Sequence, residues 1–388
     1  MVSSLVEDDD GLAAERARVE RPAASGLDGL GGHDRRNKTN STLTQDTTWN
    51  LFARIDRFDQ ASPASRSIAA RGLVAQAPDA LQGAIDEAVE ALRAGQLVAF
   101  PTETVYGLGA DARADAAVRR VFAAKGRPAD HPLIVHLGSV DEVDAWATDV
   151  PDAARALLER FSPGPLTVIL KRAEGVSDVV TGGQPTVGLR VPDHPVALAL
   201  LRAFGSGIAA PSANRFGSVS PTTAAHVALE LGDRVALILD GGPCRVGIES
   251  TIVDFSGDAP ALLRPGGLDV EAIEAALGRP LADAPAGLRA PGTLASHYAP
   301  SARVLAVDAR ELDATVRAQA GRVVVLGHRD VEGIARIDLP EDPRAAARRL
   351  YAALREVDER GFDVAVVELP APVGLGRAIA DRLRRAST

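Results

Sequence analysis

From Ala80 to Leu277 short apolar runs alternate with amphipathic stretches, the pattern of an α/β domain. Leu97-Val98-Ala99-Phe100 predicts a buried strand stopped by Pro101. Val118, Val121 and Phe122 stand at i, i+3 and i+4, which predicts a core-facing helix from an N-cap at Asp115 to Lys125. Gly126 is its expected stop, and Pro128 prevents continuation. Lys125 falls on the same inward stripe, whereas Arg119 and Arg120 lie off it. Further strands are expected over 186–191, 207–210, 235–239, 249–254 and 261–264. Ser220 as N-cap and Pro221 at the first helical position predict a helix to Leu231, and Asp269 caps another. The sum is an open, twisted α/β sheet, mixed rather than purely parallel.

The pattern changes twice outside this stretch. Residues 281–300 are rich in Ala, Pro and Gly and read as a linker, and Arg303 begins a second, smaller unit. There, strands are expected over 304–307, 323–326 and 364–369, with a helix over 343–359. Gly374-Leu375-Gly376 reads as the entry turn of a terminal helix. Residues 1–72 combine an acidic start, scattered Gly and Ser and weak periodicity, as expected of a poorly ordered extension. The predicted organisation is therefore 1–72 extension, 73–280 catalytic domain, 281–302 linker and 303–388 C-terminal domain.

Composition narrows the function. Of the net charge of −9 on 388 residues, the segment 73–302 carries the whole, with 18 basic against 27 acidic residues. Such a segment is a poor broad binder of nucleic acid, so its cations must be concentrated locally to hold an anion. Cys244 is the only cysteine, which removes a disulfide framework within a monomer and a Cys-based zinc site, and the seven histidines show no ligand spacing. No protein-held metal is expected from these residues. No apolar run approaches the ~20 residues of a membrane span, and no signal-peptide core is present, so a cytoplasmic protein is expected.

The candidate chemistry sits where strands end. The chain holds 43 Lys+Arg but three lysines, and beyond residue 50 it contains one asparagine, Asn214. A lysine kept against that bias, Lys125 in Lys125-Gly126-Arg127, suggests a need for a compact ammonium. Asn214 in Ser212-Ala213-Asn214 suggests an amide that donates and accepts together. A cation at a helix C-terminus is commonly worth only about 0.3–1 kcal/mol, which explains its position but not its inward aim. Thr102-Glu103-Thr104 follows a strand, Arg190 and Arg264 stand at strand ends and Glu249-Ser250-Thr251 begins one; open α/β sheets bind ligands at strand ends. Their recurrence predicts a cleft for phosphates, a carboxylate or both. Gly107-x-Gly109-x-x-Ala112 imitates a dinucleotide fingerprint, but it neither follows its strand at once nor opens the helix. No P-loop is present.

These clusters, in this order, resemble the threonylcarbamoyl-AMP synthase family. The matching stretches are Phe100 to Asp111, Lys125-Gly126-Arg127-Pro128 with Pro132 to His136, Gly188 to Pro192, Ala210 to Asn214, Glu249-Ser250-Thr251 and Leu263 to Gly266. Ser296-His297-Tyr298-Ala299-Pro300 resembles the linker of the long, two-domain branch. His131 departs from the asparagine expected there.

The resemblance implies a YrdC-like catalytic domain, a small Rossmann-like C-terminal domain and a nucleotidyltransferase reaction. L-Threonine, bicarbonate or CO2, and ATP would give threonylcarbamoyl-AMP and pyrophosphate. The product would pass to a threonylcarbamoyl transferase complex that modifies tRNA. By carry-over, Thr104, His136, Arg190 and Ser250 would hold threonine. Arg127, His131, Thr186, Ser212, Ser220, Arg264 and Tyr298 would hold ATP, with Lys125, Arg127, Ser212 and Asn214 as the catalytic set. Tyr298 would close over the cleft, and Mg2+ would ride on the phosphates. An RNA-binding module without ATP turnover is the alternative from another class; a nicotinamide enzyme using Gly107 and Gly109 is a third.

Overall fold

The computed structural model describes residues 78–285, 287–293 and 297–388; the predicted extension over 1–72 and Ser296 lie outside the described residues. Helix α1 (Pro78–Arg93) leads into the hairpin β1 (Val98–Phe100) and β2 (Gly107–Asp111), then α2 (Asp115–Lys125) and β3 (Ile134–His136). Next come α3 (Asp152–Phe161), β4 (Leu166–Lys171), the one-turn α4 (Asp178–Thr181), β5 (Thr186–Arg190), α5 (Pro195–Phe204) and β6 (Ile208–Ala209). Helix α6 (Ala224–Leu231), β7 (Leu237–Ile238), β8 (Thr251–Asp254), β9 (Ala261–Arg264), α7 (Val270–Leu277) and β10 (Ala282–Asp283) complete the first sheet.

Its ten strands run in the order β10-β9-β8-β4-β5-β3-β6-β2-β1-β7 and mix parallel with antiparallel neighbours, as the sequence predicts. Strand alternation separates the two faces. Leu97 and Ala99 enter the core that holds Val118, Val121 and Leu189, while Val98 and Phe100 enter the one that holds Ile85, Leu92 and Leu200. Each buried Leu, Ile or Phe contributes roughly 1.5–3 kcal/mol of transfer free energy.

The fingerprint look-alike is strand, as its poor placement predicts, and two helix starts are corrected. Gly107 and Gly109 lie inside β2, paired antiparallel with β1, and not in a phosphate turn. A Cβ at Gly109 would come within 2.9 Å of both Phe100 and Ile208, so close packing requires that glycine. Asp115 is the first helical residue, Ala114 is the N-cap, and the Asp115 carboxylate takes the Ser177 hydroxyl instead. Helix α6 starts at Ala224, capped by Thr223 onto the His226 amide. Ser220 is thereby freed from capping.

The second sheet consists of β11 (Arg303–Val307), β12 (Val323–Gly327), β13 (Ala335–Asp338) and β14 (Val364–Glu368), in the order β11-β14-β12-β13. All its pairs are parallel, which fits the expected Rossmann-like unit. Helices α8 (Leu312–Arg317), α9 (Pro343–Glu359) and α10 (Leu375–Ala386) accompany it. Strand β13 escaped the sequence reading because Ile337 is its one fully buried apolar residue, at the sheet edge. Strand β10 falls where a linker is predicted: it pairs with the open edge of β9. The two sheets share a core, since Val105, Val219 and Ile248 cluster with Leu350, Tyr351 and Leu354. That shared packing places α9 and α10 behind the cleft described next.

Candidate active site

The hairpin turn after β1 is organised by its own hydroxyls. Thr102 Oγ1 donates to the Val105 carbonyl at 2.6 Å and accepts from the Thr104 and Val105 amides at 3.2 Å. This presents Glu103 and Thr104 to Arg190, at the end of β5. The Arg190 Nη2 donates to Glu103 Oε1 at 2.7 Å and to Thr104 Oγ1 at 2.8 Å. Glu103 Oε2 in turn accepts the Asp193 amide at 3.0 Å. The ion pair is buried on both sides, so its other polar atoms need partners, and the Thr104 hydroxyl and the Asp193 amide supply two of them.

His136 ends β3 and stands in register with Arg190. Its Nδ1 is buried without a partner. Burial, reinforced by the Arg190 charge, lowers its pKa to about 3, so the imidazole is neutral.

Lys125 is buried at the end of α2, as its place on the apolar stripe predicts. Its ammonium donates to the Ser212 and Asn214 carbonyls, both at 2.5 Å, with Asn214 Oδ1 at 3.4 Å. The Asn214 amide donates to the Arg215 and Ser218 carbonyls at 2.8 and 2.7 Å. Asn214 therefore does donate and accept together. Burial, then the neighbouring Arg127 charge, hold the Lys125 pKa well below its ordinary value.

Ser250, beside β8, shares a hydrogen bond with Thr167 at 2.7 Å. Arg264 closes over it: Nε and Nη2 reach the Ser250 carbonyl at 3.2 and 2.8 Å, and Nη1 reaches the Pro291 carbonyl at 2.8 Å. Glu249, one residue earlier, accepts from Ser220 Oγ at 2.7 Å, Tyr351 Oη at 2.8 Å and Arg382 Nε at 2.7 Å. Burial opposes its charge, yet Arg382 and Arg264 outweigh it and hold the carboxyl at about 2.

A cleft of about 520 Å³, counting space open to solvent, lies among these groups. Of the predicted residues, Arg127, His136, Arg190, Ser212, Ser250, Arg264 and Tyr298 line it. Lys125, Asn214, Thr104 and Ser220 stand one layer back, bonded to the wall or to its neighbours. Lys125 therefore sits beneath the Ser212–Asn214 turn and not at the cleft rim.

Thr186 is not brought to the cleft wall. It begins β5, four positions before Arg190, roughly 13 Å along the strand. His131 also stands off the wall, its ring edge-on to Phe216 at 5.6 Å. Phe216 has the Arg127 guanidinium 6.0 Å from its centroid. Burial, then Arg127, lower the His131 pKa, and burial takes Arg127 itself down to about 10.

Tyr298 is 1% exposed, at φ +64°, stacked on Tyr351 at 5.7 Å. A Cβ at Gly292 would meet its hydroxyl at 2.2 Å, so glycine is required there. Sequence reasoning names His297, Glu103 and Glu249 only within motifs, without a role of their own, and leaves out Arg382. His297 lines the cleft with an unpartnered Nδ1, and burial lowers its pKa to about 3. For the first three the signal was adjacency to chosen residues; for Arg382 there was none.

A threonylcarbamoyl-AMP synthase of Pyrococcus abyssi is 44% identical over 311 residues, covering 76% of this chain and 92% of the relative. The chain belongs to the threonylcarbamoyl-AMP synthase family. A member from Bacillus subtilis is 41% identical over 320 residues, covering 78% and 92%. Residues 90–266 match the family model described as telomere recombination, and 268–388 match that of the threonylcarbamoyl-AMP synthase C-terminal domain. The crystal structure of P. abyssi Sua5 complexed with L-threonine aligns at a TM-score of 0.75 and 42% identity, covering 78% of this chain and 94% of that one. Membership of this enzyme family favours the synthase reading over the RNA-binding module. Among the described residues no helix is long and apolar enough to cross a membrane.

Proposed function

We infer that this chain joins L-threonine, bicarbonate or CO2, and ATP into threonylcarbamoyl-AMP, releasing pyrophosphate. The observation that carries the reading is the cleft wall. Arg127, Arg190 and Arg264 share it with the hydroxyls of Ser212 and Ser250. The names of the relatives and the L-threonine held by one of them support the substrate choice.

The threonine nitrogen adds to the carbon of CO2 and loses a proton, giving a carbamate. A carbamate oxygen then attacks the α-phosphorus of ATP, and the bond to the β-phosphate oxygen breaks. Charge grows on the phosphate oxygens, so fixed cations are the protein's main contribution. Arg127 and Arg264 suit the phosphates, with Ser212 and, through Glu249, Ser220 on the nucleotide side. Arg190 suits the threonine carboxylate, flanked by Thr104 and Ser250. The free Nδ1 of neutral His136 offers an acceptor for the substrate amine or hydroxyl. Lys125 and Asn214 set the turn that carries Ser212. Tyr298 and His297 shut the rear of the cleft, where a carbamate needs shelter from water. No contact is assigned to Thr186, and His131 acts only through Phe216.

Mg2+ would be held by the phosphates. Both oxygens of Glu249, the carboxylate in the wall, are already bonded, and no metal-holding cluster exists among the described residues. When bound, the ion would supply neutralisation of phosphate charge. Transfer of the product to the threonylcarbamoyl transferase complex that modifies tRNA, in the cytoplasm, belongs to the same proposal. Direct tRNA contact is not part of it.

Pyrophosphate release with threonine, bicarbonate or ATP omitted in turn, and the product mass, test the reading. All three should be required. Release that accepts other amino acids equally, or salt-sensitive RNA binding without turnover, would overturn it.

A further inference from the structure

Among the described residues lining the cleft, Glu249 is the one carboxylate, in a wall otherwise built for anions. An unpaired negative charge there would oppose a bound polyphosphate. Its partners come from both halves of the molecule. Ser220 belongs to the first sheet unit, but Tyr351 stands on α9 and Arg382 on α10. Arg382 is 0% exposed and is fixed on four sides. It pairs with Glu249 at 2.7 Å and Asp381 at 2.5 Å, donates to the Pro265 carbonyl at 3.1 Å, and lies 5.1 Å from the Tyr298 ring.

We propose that Arg382 is a positioning residue for the cleft, contributed by the C-terminal domain, which keeps Glu249 neutralised so that the wall stays cationic toward a polyphosphate. This deepens the synthase reading and rests on it for the identity of the anion. It gives the second domain a part in substrate affinity beyond tethering. Arg264, Tyr298, Tyr351, His297 and Ser220 also face Glu249, and of these only Arg264 is a fixed cation, already bonded to Ser250 and Pro291. Arg382 is thus the charge that Glu249 cannot replace locally.

The test is KM for ATP and for threonine, with direct binding of inorganic tripolyphosphate, in the full chain from about pH 6 to about pH 9. Arg382→Met should raise the ATP KM and weaken tripolyphosphate binding at least about tenfold, with the threonine KM within about threefold. Lowering the pH should relieve the defect as Glu249 protonates. Adding Glu249→Gln should restore both values to within about threefold, and Arg382→Lys should retain most of the affinity. Removing one partner of a buried pair can unfold a protein. Glu249→Gln alone guards against that outcome, because Arg382 keeps Asp381; it should tighten ATP and tripolyphosphate binding. A merely structural pair predicts weaker binding in every variant and no restoration in the double variant, which would overturn the proposal. Wild-type protein that binds tripolyphosphate yet makes no threonine-dependent pyrophosphate would overturn the synthase reading instead.

Discussion

The Lys125 ammonium lies 2.5 Å from the Asn214 carbonyl and 3.4 Å from the Asn214 side-chain oxygen. The two residues that stand out most in the sequence are thus each other's partner. Together they fix the turn that carries Ser212 into the cleft wall. Lys125→Met should therefore lower turnover at least tenfold, about 1.4 kcal/mol of activation free energy. It should also lower the melting temperature, since the buried Asn214 carbonyl loses its donor at roughly 1–3 kcal/mol and the half-buried Ser212 carbonyl loses the same partner. Asn214→Ala should act on the same turn, so the double variant should fall short of the summed losses by more than about 0.5 kcal/mol. Additive effects in thermal melts and turnover would separate the two residues.

Arg190 should govern threonine more than ATP. Arg190→Ala is expected to raise the threonine KM by a far larger factor than the ATP KM. It leaves Glu103 buried with an unpaired charge, a loss of roughly 3–5 kcal/mol of stability. Adding Glu103→Gln should recover part of the melting temperature while the threonine defect persists. Equal KM effects on both substrates would mean that Arg190 holds neither one selectively.

Acid should destabilise the fold, and the sign follows from three groups. His136 and His297 have pKa values near 3, below the 6.5 of an unfolded histidine, because burial penalises their charged forms. Between those values the unfolded chain binds more protons, so stability falls as pH drops from about 6.5 to about 3. Glu249 adds a loss of the same sign from the ordinary 4.5 toward about 2. Thermal melts should show a rising melting temperature from about pH 4 to about pH 6.5, flattened in part by His136→Gln. Turnover should lack a limb from either histidine in that range. A melting temperature independent of pH would mean that neither ring is buried neutral.

Tyr298 stacks on Tyr351, and the Arg382 guanidinium lies 5.1 Å from its ring. Tyr298→Ala should lower the yield of threonylcarbamoyl-AMP per ATP consumed, because the carbamate would meet water. Tyr298→Phe should retain most of that coupling. Proteolysis between Thr293 and Tyr298 should slow when ATP and threonine are added together. Cleavage indifferent to both ligands, with normal coupling in Tyr298→Ala, would reduce the segment to a tether.

Much of the architecture was legible because periodicity reports directly which side of an element is buried. The stripe Val118-Val121-Phe122 identified α2 and the inward aim of Lys125, and the run 97–100 identified β1. Helix ends were less legible. Asp115 and Ser220 are good capping residues by type, but Ser177 and Glu249 claim their side chains across the fold. Thr186 and Arg190 share a buried strand, and only the position of the cleft at one of its ends tells them apart.

The sequence by itself determined the family, the two-sheet α/β architecture and the strand-end arginines, because these depend on local order and on motifs at short range. Tertiary structure alone decided what each buried polar group is bonded to. Glu249 and Arg382 are 133 residues apart, and nothing within either segment signals the other. A buried charge must find a partner wherever the folded chain brings one close, and distance in space is not written in distance along the chain.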